Sequence, residues 1–308
     1  MKKVLVFMGT YNGEKYIDEQ VESIMQQEQV DVKLAIRDDC STDNTPQHLL
    51  KLKKQYGDKL FIELGKVNLY PYCMNALFDI FDLNQYDYFA FSDHDDVWMK
   101  DKLITAVTML DSINHSQPCL YYSNLSVTDE ALNFKFNVYG KNKIKSTYKS
   151  CFVDIAASSN TFVFNKSAFM LFKDGNQKDC FYGDVWQQFL CFFVGDVVYD
   201  DVPHILFRRT GNNVSGDRPR GIKLWISRIK KIKKEKKNPK HMHSEMAKTI
   251  LENYSSYLDA DKIRILQLIS NCNNGFKNRM KLLFSKDIKS KSFSKNICFK
   301  GRILLGLL

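Results

Sequence analysis

Two rhythms of apolar and polar residues share the first two hundred positions. Residues 3–8, 32–36, 60–64 and 88–91 are short apolar runs, rich in β-branched and aromatic side chains and without helical period. Runs of that kind predict strands buried on both faces. Between them the period lengthens. Tyr16, Ile17, Val21, Ile24 and Met25 recur at near-helical spacing within residues 14–26, and Leu49, Leu50 and Leu52 mark an amphipathic helix after a stretch dense in capping residues. Helices are also expected over about 73–81 and 101–114, and strands over 119–123, 160–164 and 196–199. Alternation of this sort predicts an α/β fold, a largely parallel sheet whose right-handed crossovers bring the strand ends to one edge.

That edge is where polar chemistry accumulates. The first strand runs into Gly9-Thr10-Tyr11-Asn12-Gly13, the second into Arg37-Asp38-Asp39-Cys40-Ser41-Thr42-Asp43, and the third is followed by Asn68-Leu69-Tyr70. The fourth ends in Ser92-Asp93-His94-Asp95-Asp96-Val97-Trp98, three carboxylates and an imidazole directly after an apolar run. Carboxylates so close repel one another unless neutralised. Asp93 and Asp95, two apart, point the same way if extended geometry persists, and paired hard oxygen donors suit Mg²⁺ or Mn²⁺ better than zinc. Alternatively the cluster is an acidic turn, with Asp96 capping a helix that begins near Val97. Neither a GxGxxG nor a GxxxxGKS segment is present, so dinucleotide and P-loop signatures are excluded. Farther on, Asp184 stands at the start of an apolar helix through Phe189, Leu190 and Phe193, where an N-cap is the plain alternative to a catalytic role. Arg208 and Arg209 close a last apolar run, 205–207, and a polar, weakly periodic stretch between 123 and 160 is positioned to lie over the site.

Charge divides the 308 residues unevenly. Residues 218–308 hold 23 Lys and Arg against 6 Asp and Glu, a net +17, which leaves −7 for the first 217. A domain over 1–217 and a basic, mainly helical region over 218–308 are expected, with different partners. The eight cysteines show no CxxC pairing, the opening Met-Lys-Lys-Val-Leu-Val-Phe reads as a strand, and no apolar run approaches the roughly 20 residues of a bilayer span. A reduced, cytoplasmic protein follows, attached at most peripherally to a membrane. In the basic region Ile222, Trp225, Ile226 and Ile229 share one helical face flanked by lysines, which suits an anionic membrane surface through 222–240; packing of that face on the catalytic domain is the alternative. Nucleic-acid binding has this basic segment as its sole support and no recognised motif.

Four ordered segments resemble family 2 glycosyltransferases, with rhamnosyltransferase-like bacterial members the nearest in look: residues 10–16, 37–43, 92–98 and 206–213. The likeness covers about residues 1–217. It implies a GT-A fold, with a Rossmann-like, mostly parallel central sheet flanked by helices, and inverting transfer from a dTDP- or UDP-linked sugar to a glycan or lipid-linked saccharide. Carried over by position, it implies that Thr10, Asn12, Glu14 and Arg37 lie by the nucleotide and that Asp39 bonds a pyrimidine base. Asp93 and Asp95 match the metal-binding Asp-x-Asp, Asp184 the catalytic base, and Arg208 the late-loop arginine that approaches the diphosphate; Mn²⁺ or Mg²⁺ is the implied cofactor. Cys40, Tyr70, His94 and Thr210 depart from the family pattern, and the departures leave an inactive nucleotide-binding domain as an alternative.

Overall fold

The computed structural model describes residues 1–70, 72–113, 117–139, 146–154, 157–174, 183–211, 221–237 and 241–308; of residues 174, 183, 184 and 221–223 it describes the backbone alone. The chain forms two compact units. The first comprises 1–144, 157–175 and 196–210, the second 145–156, 176–195 and 211–308.

In the first unit β1 (Lys2–Thr10), α1 (Ile17–Met25), β2 (Val30–Asp38), α2 (Thr45–Tyr56) and β3 (Leu60–Leu64) alternate as the sequence pattern predicts. Then come β4 (Tyr88–Ser92), β5 (Val97–Trp98), α3 (Lys102–Asp111), β6 (Cys119–Thr128), β7 (Phe134–Asn137), β8 (Val163–Asn165), α4 (Lys166–Asp174) and β9 (Asp196–Arg208). The sheet runs β3-β2-β1-β4-β8-β6-β9-β5, with β7 on β6. Its first four strands are mutually parallel, so Thr10 pairs with Asp38, Asp38 with Leu64 and Met8 with Ser92, and their carboxyl ends line up along one edge. Beyond β4 the sheet is mixed: β8 is antiparallel to both neighbours, β9 is parallel to β6, and β5 is antiparallel to β9.

Period-two alternation explains why this sheet is covered on both faces. Val4, Val6 and Met8 of β1 join a core cluster with Ile17, Val21 and Ile24 of α1 and Leu49 and Leu52 of α2. Phe7, pointing the other way, enters a phenylalanine layer centred on Phe169 of α4: Phe169 stacks on Phe89 at 4.1 Å and on Phe7 at 5.5 Å, and meets Phe78 edge-on at 5.2 Å.

Three expectations are corrected here. Residues 73–81 form a 3₁₀ turn, Cys73–Leu77, and no α-helix. No side chain caps its start, Asn75 and the aromatics are weak helix formers, and Phe78 and Phe81 are drawn instead to the ring of Phe7. Asp96 caps no helix, because α3 starts at Lys102 with Asp101 as its N-cap residue. Residues 196–199 and 205–208 are one strand, β9, carried past a register shift opposite Ser123 and Asn124. The 123–160 stretch likewise extends β6 to Thr128 and turns back as β7.

The second unit contains α5 (Gly183–Val194), α6 (Gly221–Lys237), α7 (Met242–Asn253), α8 (Ala260–Ser270), α9 (Phe276–Leu283) and α10 (Phe293–Leu305). Met246 and Ile250 of α7 and Ile265, Leu266 and Ile269 of α8 are buried. Phe152 meets Phe189 of α5 edge-on at 4.7 Å, and Arg302 of α10 holds Glu235 of α6 in a two-pronged ion pair at 2.9 and 3.1 Å. Among the described residues no helix is long and apolar enough to cross a membrane.

Candidate functional site

The polar loops at the carboxyl edge of the first unit are laced to one another. After β1 the backbone turns at Asn12 with φ +49, a conformation that asparagine tolerates better than most residues. The Asn12 N–H donates to Ser41 Oγ at 2.8 Å, and its side-chain oxygen accepts from the Thr42 N–H at 2.8 Å. Glu14 accepts from the Asn44 N–H at 2.8 Å, and the Gly13 N–H donates to Thr45 Oγ1. Thr10 is buried, and its Oγ1 has no hydrogen-bond partner among the described residues. A buried hydroxyl left unmatched in a polar loop is costly.

Arg37 and Asp39 hold the next pair of loops together. Both are almost fully buried, and they form an ion pair with each other. The Asp39 carboxylate also accepts from the backbone N–H groups of Leu69 and Tyr70 at 2.9 to 3.1 Å, while Arg37 donates to the Val67 carbonyl at 3.1 Å. Gly65 permits this approach: a Cβ there would collide with the Arg37 guanidinium and lie 2.7 Å from the Asp38 carbonyl. Asp39 thus fixes the 65–70 loop against the end of β2.

The acidic loop is tied down from three sides. Gln20 of α1 donates to Ser92 Oγ at 2.6 Å and to the Asp93 carbonyl at 3.2 Å. His94 is half-buried, its imidazole so near Gly13 that a Cβ there would lie 2.7 Å from Cδ2. Asp96 is fully buried; it accepts from Asn160 Nδ2 at 2.6 Å and from the backbone N–H of Arg208 at 3.2 Å, which is why it is unavailable as a cap. Burial, and then the charges of Asp93 and Asp95, hold the Asp96 carboxyl well above the usual carboxylate range. Close by, the fully buried Lys102 places its ammonium 3.6 Å from the centre of the Trp98 ring, with no hydrogen-bond partner among the described residues. Burial lowers its pKa to about 7, against the pull of Asp96.

Arg208 closes the arrangement from β9. Its Nε donates to the Asp95 carbonyl at 3.0 Å, Nη1 to the Glu130 carbonyl at 2.5 Å, and Nη2 pairs with Glu19 of α1; the guanidinium lies 4.8 Å from the Tyr16 ring. Asp93 and Asp95 are half-buried, and hard oxygen donors of this kind fit Mg²⁺ or Mn²⁺. Among the described residues no three His, Cys, Asp or Glu side chains gather to hold an ion. A cation here would rest on one or two carboxylates and complete its shell with phosphate and water oxygens, the usual habit of Mg²⁺.

Of the residues singled out from sequence, Thr10, Asn12, Glu14, Arg37, Asp39, Asp93, Asp95 and Arg208 all stand on these connected loops. Asp184 is the second residue of α5, and its side chain lies outside the described residues, as do Asn212 and Asn213 of the late loop. Sequence reasoning missed Gln20, Glu19, Glu130 and Asn160, whose polar roles depend on contacts far along the chain. For Gln20 a signal existed: a polar residue on the otherwise apolar face of α1.

An α/β sheet with polar loops along its parallel carboxyl edge and an acidic cluster at their centre defines the GT-A class of fold. The sequence matches the profile of Glycosyl transferase family 2 over residues 5–169, more than half of the chain, and the protein belongs to that family. It is 32% identical over 173 residues to dTDP-rhamnosyl transferase RfbG of Shigella flexneri, covering 54% of this chain and 56% of that protein. It is 33% identical over 105 residues to abequosyltransferase RfbV of Salmonella typhimurium, covering 33% and 31%. The matches thus span about half the length of these relatives or less. Among solved structures, S. aureus TarS 1-349 in complex with UDP-GlcNAc superposes with a TM-score of 0.55 over 100% of this chain and 82% of that one, at 19% identity, a likeness of fold.

Proposed function

We propose that this protein is an inverting, metal-dependent glycosyltransferase that moves a sugar, rhamnose among the candidates, from a dTDP- or UDP-linked donor to a glycan or lipid-linked saccharide in bacterial cell-surface polysaccharide synthesis. The observation that carries this reading is the convergence of the Thr10, Asp39, Asp93–Asp95 and Arg208 loops on one sheet edge. Identity to a dTDP-rhamnosyl transferase supports the choice of donor.

In this reading Thr10, Asn12 and Glu14 border the nucleotide, and Arg37 and Asp39 shape the base end through the 65–70 loop. Arg208 and the acidic loop face the diphosphate. Asp93 and Asp95 would hold the cation, which when bound would supply charge neutralisation for the departing nucleoside diphosphate. Asp184 accepts the proton of the acceptor hydroxyl as that oxygen attacks the anomeric carbon from the face opposite the diphosphate, and Arg208 steadies the charge that develops. The enzyme works in the cytoplasm, and residues 222–240 bring it to the inner face of the membrane.

A panel of dTDP- and UDP-sugars, assayed for nucleoside diphosphate release with Mn²⁺ or Mg²⁺, tests the proposal. Release from at least one donor, abolished by a chelator, is expected. No release from any donor alongside measurable nucleotide binding would leave a nucleotide-binding domain without transferase activity.

A further inference from the structure

The second unit carries more exposed apolar surface than its packing uses. Phe276 is 74% exposed, Phe284 76% and Phe293 78%. One exposed apolar side chain needs no partner, but three phenylalanines within eighteen residues form a concentration of apolar surface that points to one. The residues are also ordered. At about 100° per residue, Phe293, Ile297 and Leu304 of α10 fall within about 40° of arc. All three are exposed, while Phe299 and Ile303 on the other side of the helix are buried. The α10 core face is therefore complete without the stripe. On α9 and its C-cap, Phe276, Met280 and Phe284 are staggered in the same way, with Met280 half-buried.

Cations flank both stripes. Residues 276–305 contain nine Lys and Arg and one acid, Asp287, and Asp287 is paired with Arg264 at 2.9 Å. Lys277, Lys281 and Lys300 are exposed beside the apolar rows. The two helices are neighbours, joined where Arg279 donates to the Leu304 carbonyl at 3.4 Å. Aromatic and aliphatic side chains in a row, rimmed by lysines, are the composition of helices that lie in the headgroup layer of an anionic bilayer, their rings in the acyl boundary and their ammonium groups on lipid phosphates.

We infer that α9 and α10 form a lipid-docking face of the second unit, taking an anionic bilayer surface through Phe276, Phe284, Phe293, Ile297 and Leu304. This goes beyond the basic segment 222–240 and uses different residues. An acidic protein surface would answer the lysines alone, and a nucleic acid would leave the phenylalanine rows in water.

The full-length protein, sedimented with vesicles of phosphatidylcholine mixed with phosphatidylglycerol and with vesicles of phosphatidylcholine alone, tests the inference. Recovery on the mixed vesicles and little on the neutral ones is expected. Phe284→Ser/Phe293→Ser/Ile297→Ser, with every cation retained, is expected to lose most of that recovery. The single variants Phe276→Ser and Phe293→Ser, each at a site about three-quarters exposed and so neutral to folding, are expected to show partial losses should the triple variant fail to fold. Undiminished recovery of the variants would overturn the inference, as would equal recovery of the wild type on neutral vesicles. A dimer in sedimentation velocity that the substitutions abolish while vesicle recovery persists would overturn it in favour of a second copy. Nucleoside diphosphate release from a soluble donor is unaffected by these variants, so the docking face and the transferase reading fail separately.

Discussion

At the scale of single residues, the acidic loop divides its labour between exposed and buried carboxylates. Asp95→Ala is expected to remove metal-dependent donor binding and leave the melting temperature nearly unchanged, because a half-buried strand-end carboxylate contributes little core volume; calorimetry with dTDP and UDP, with and without Mn²⁺, measures it. Asp96→Ala is expected to behave in the opposite way. It leaves Asn160 Nδ2 and the Arg208 N–H buried and unmatched, which costs about 1–3 kcal/mol each in the general case, so its urea midpoint falls and donor binding weakens only through the looser loop. Asp184→Asn keeps shape and loses the proton acceptor; turnover is expected to drop by roughly 10²- to 10⁴-fold with donor affinity preserved. Near-normal turnover would leave Asp184 as a first-turn residue of α5 with no catalytic part. The presence of Asp93 and Asp95 together on a loop at the sheet edge was legible from the chain, whereas Asp96 was misread as a cap. Nothing in the local sequence distinguishes an acid that faces solvent from one that a residue 112 positions away has drawn inward.

At the scale of elements, the parallel strands and their helices were legible because hydrophobic period is a local property, and the element boundaries of β1, α1, β2 and β3 follow it closely. What was not legible was pairing at a distance. The splitting of β9 into two runs came from its centre, Asp200 to His204, where Asp201 and Val202 are exposed but Asp200 and His204 are buried and bonded: Tyr121 donates to Asp200 at 2.9 Å, and His204 contacts Asp200 and Asp101, the N-cap of α3, at 3.0 Å each. Burial opposes protonation of His204, but the two carboxylates outweigh it and raise its pKa above the ordinary value near 6.5. A raised folded-state pKa contributes stability that is complete below about pH 6.5 and is lost as pH rises through the folded value. The urea midpoint is therefore expected to fall between about pH 6 and pH 8, and His204→Gln is expected to flatten that slope.

At the scale of the molecule, the chain forms two units whose division in space does not follow a single cut in the chain: residues 145–156 and 176–195 belong with the carboxyl-terminal helices. Each body has its own core. Phe169, ringed by Phe7, Phe78 and Phe89, organises the first, and Phe169→Ala is expected to destabilise it by about 3–5 kcal/mol, read as a lower urea midpoint. The contact between the Lys102 ammonium and the Trp98 indole carries a further consequence. The chain has three tryptophans: Trp98 beside the acidic loop, Trp186 fully buried in α5, and Trp225 partly exposed on α6. Indole emission responds to a nearby charge, and the Trp98 ring lies 3.6 Å from the Lys102 ammonium, within reach of the acidic loop where we propose the donor binds. With phenylalanine at positions 186 and 225, the remaining fluorescence is expected to act as an internal optical gauge, in which dTDP or UDP bound at the proposed site registers as a change in colour and intensity without any attached dye.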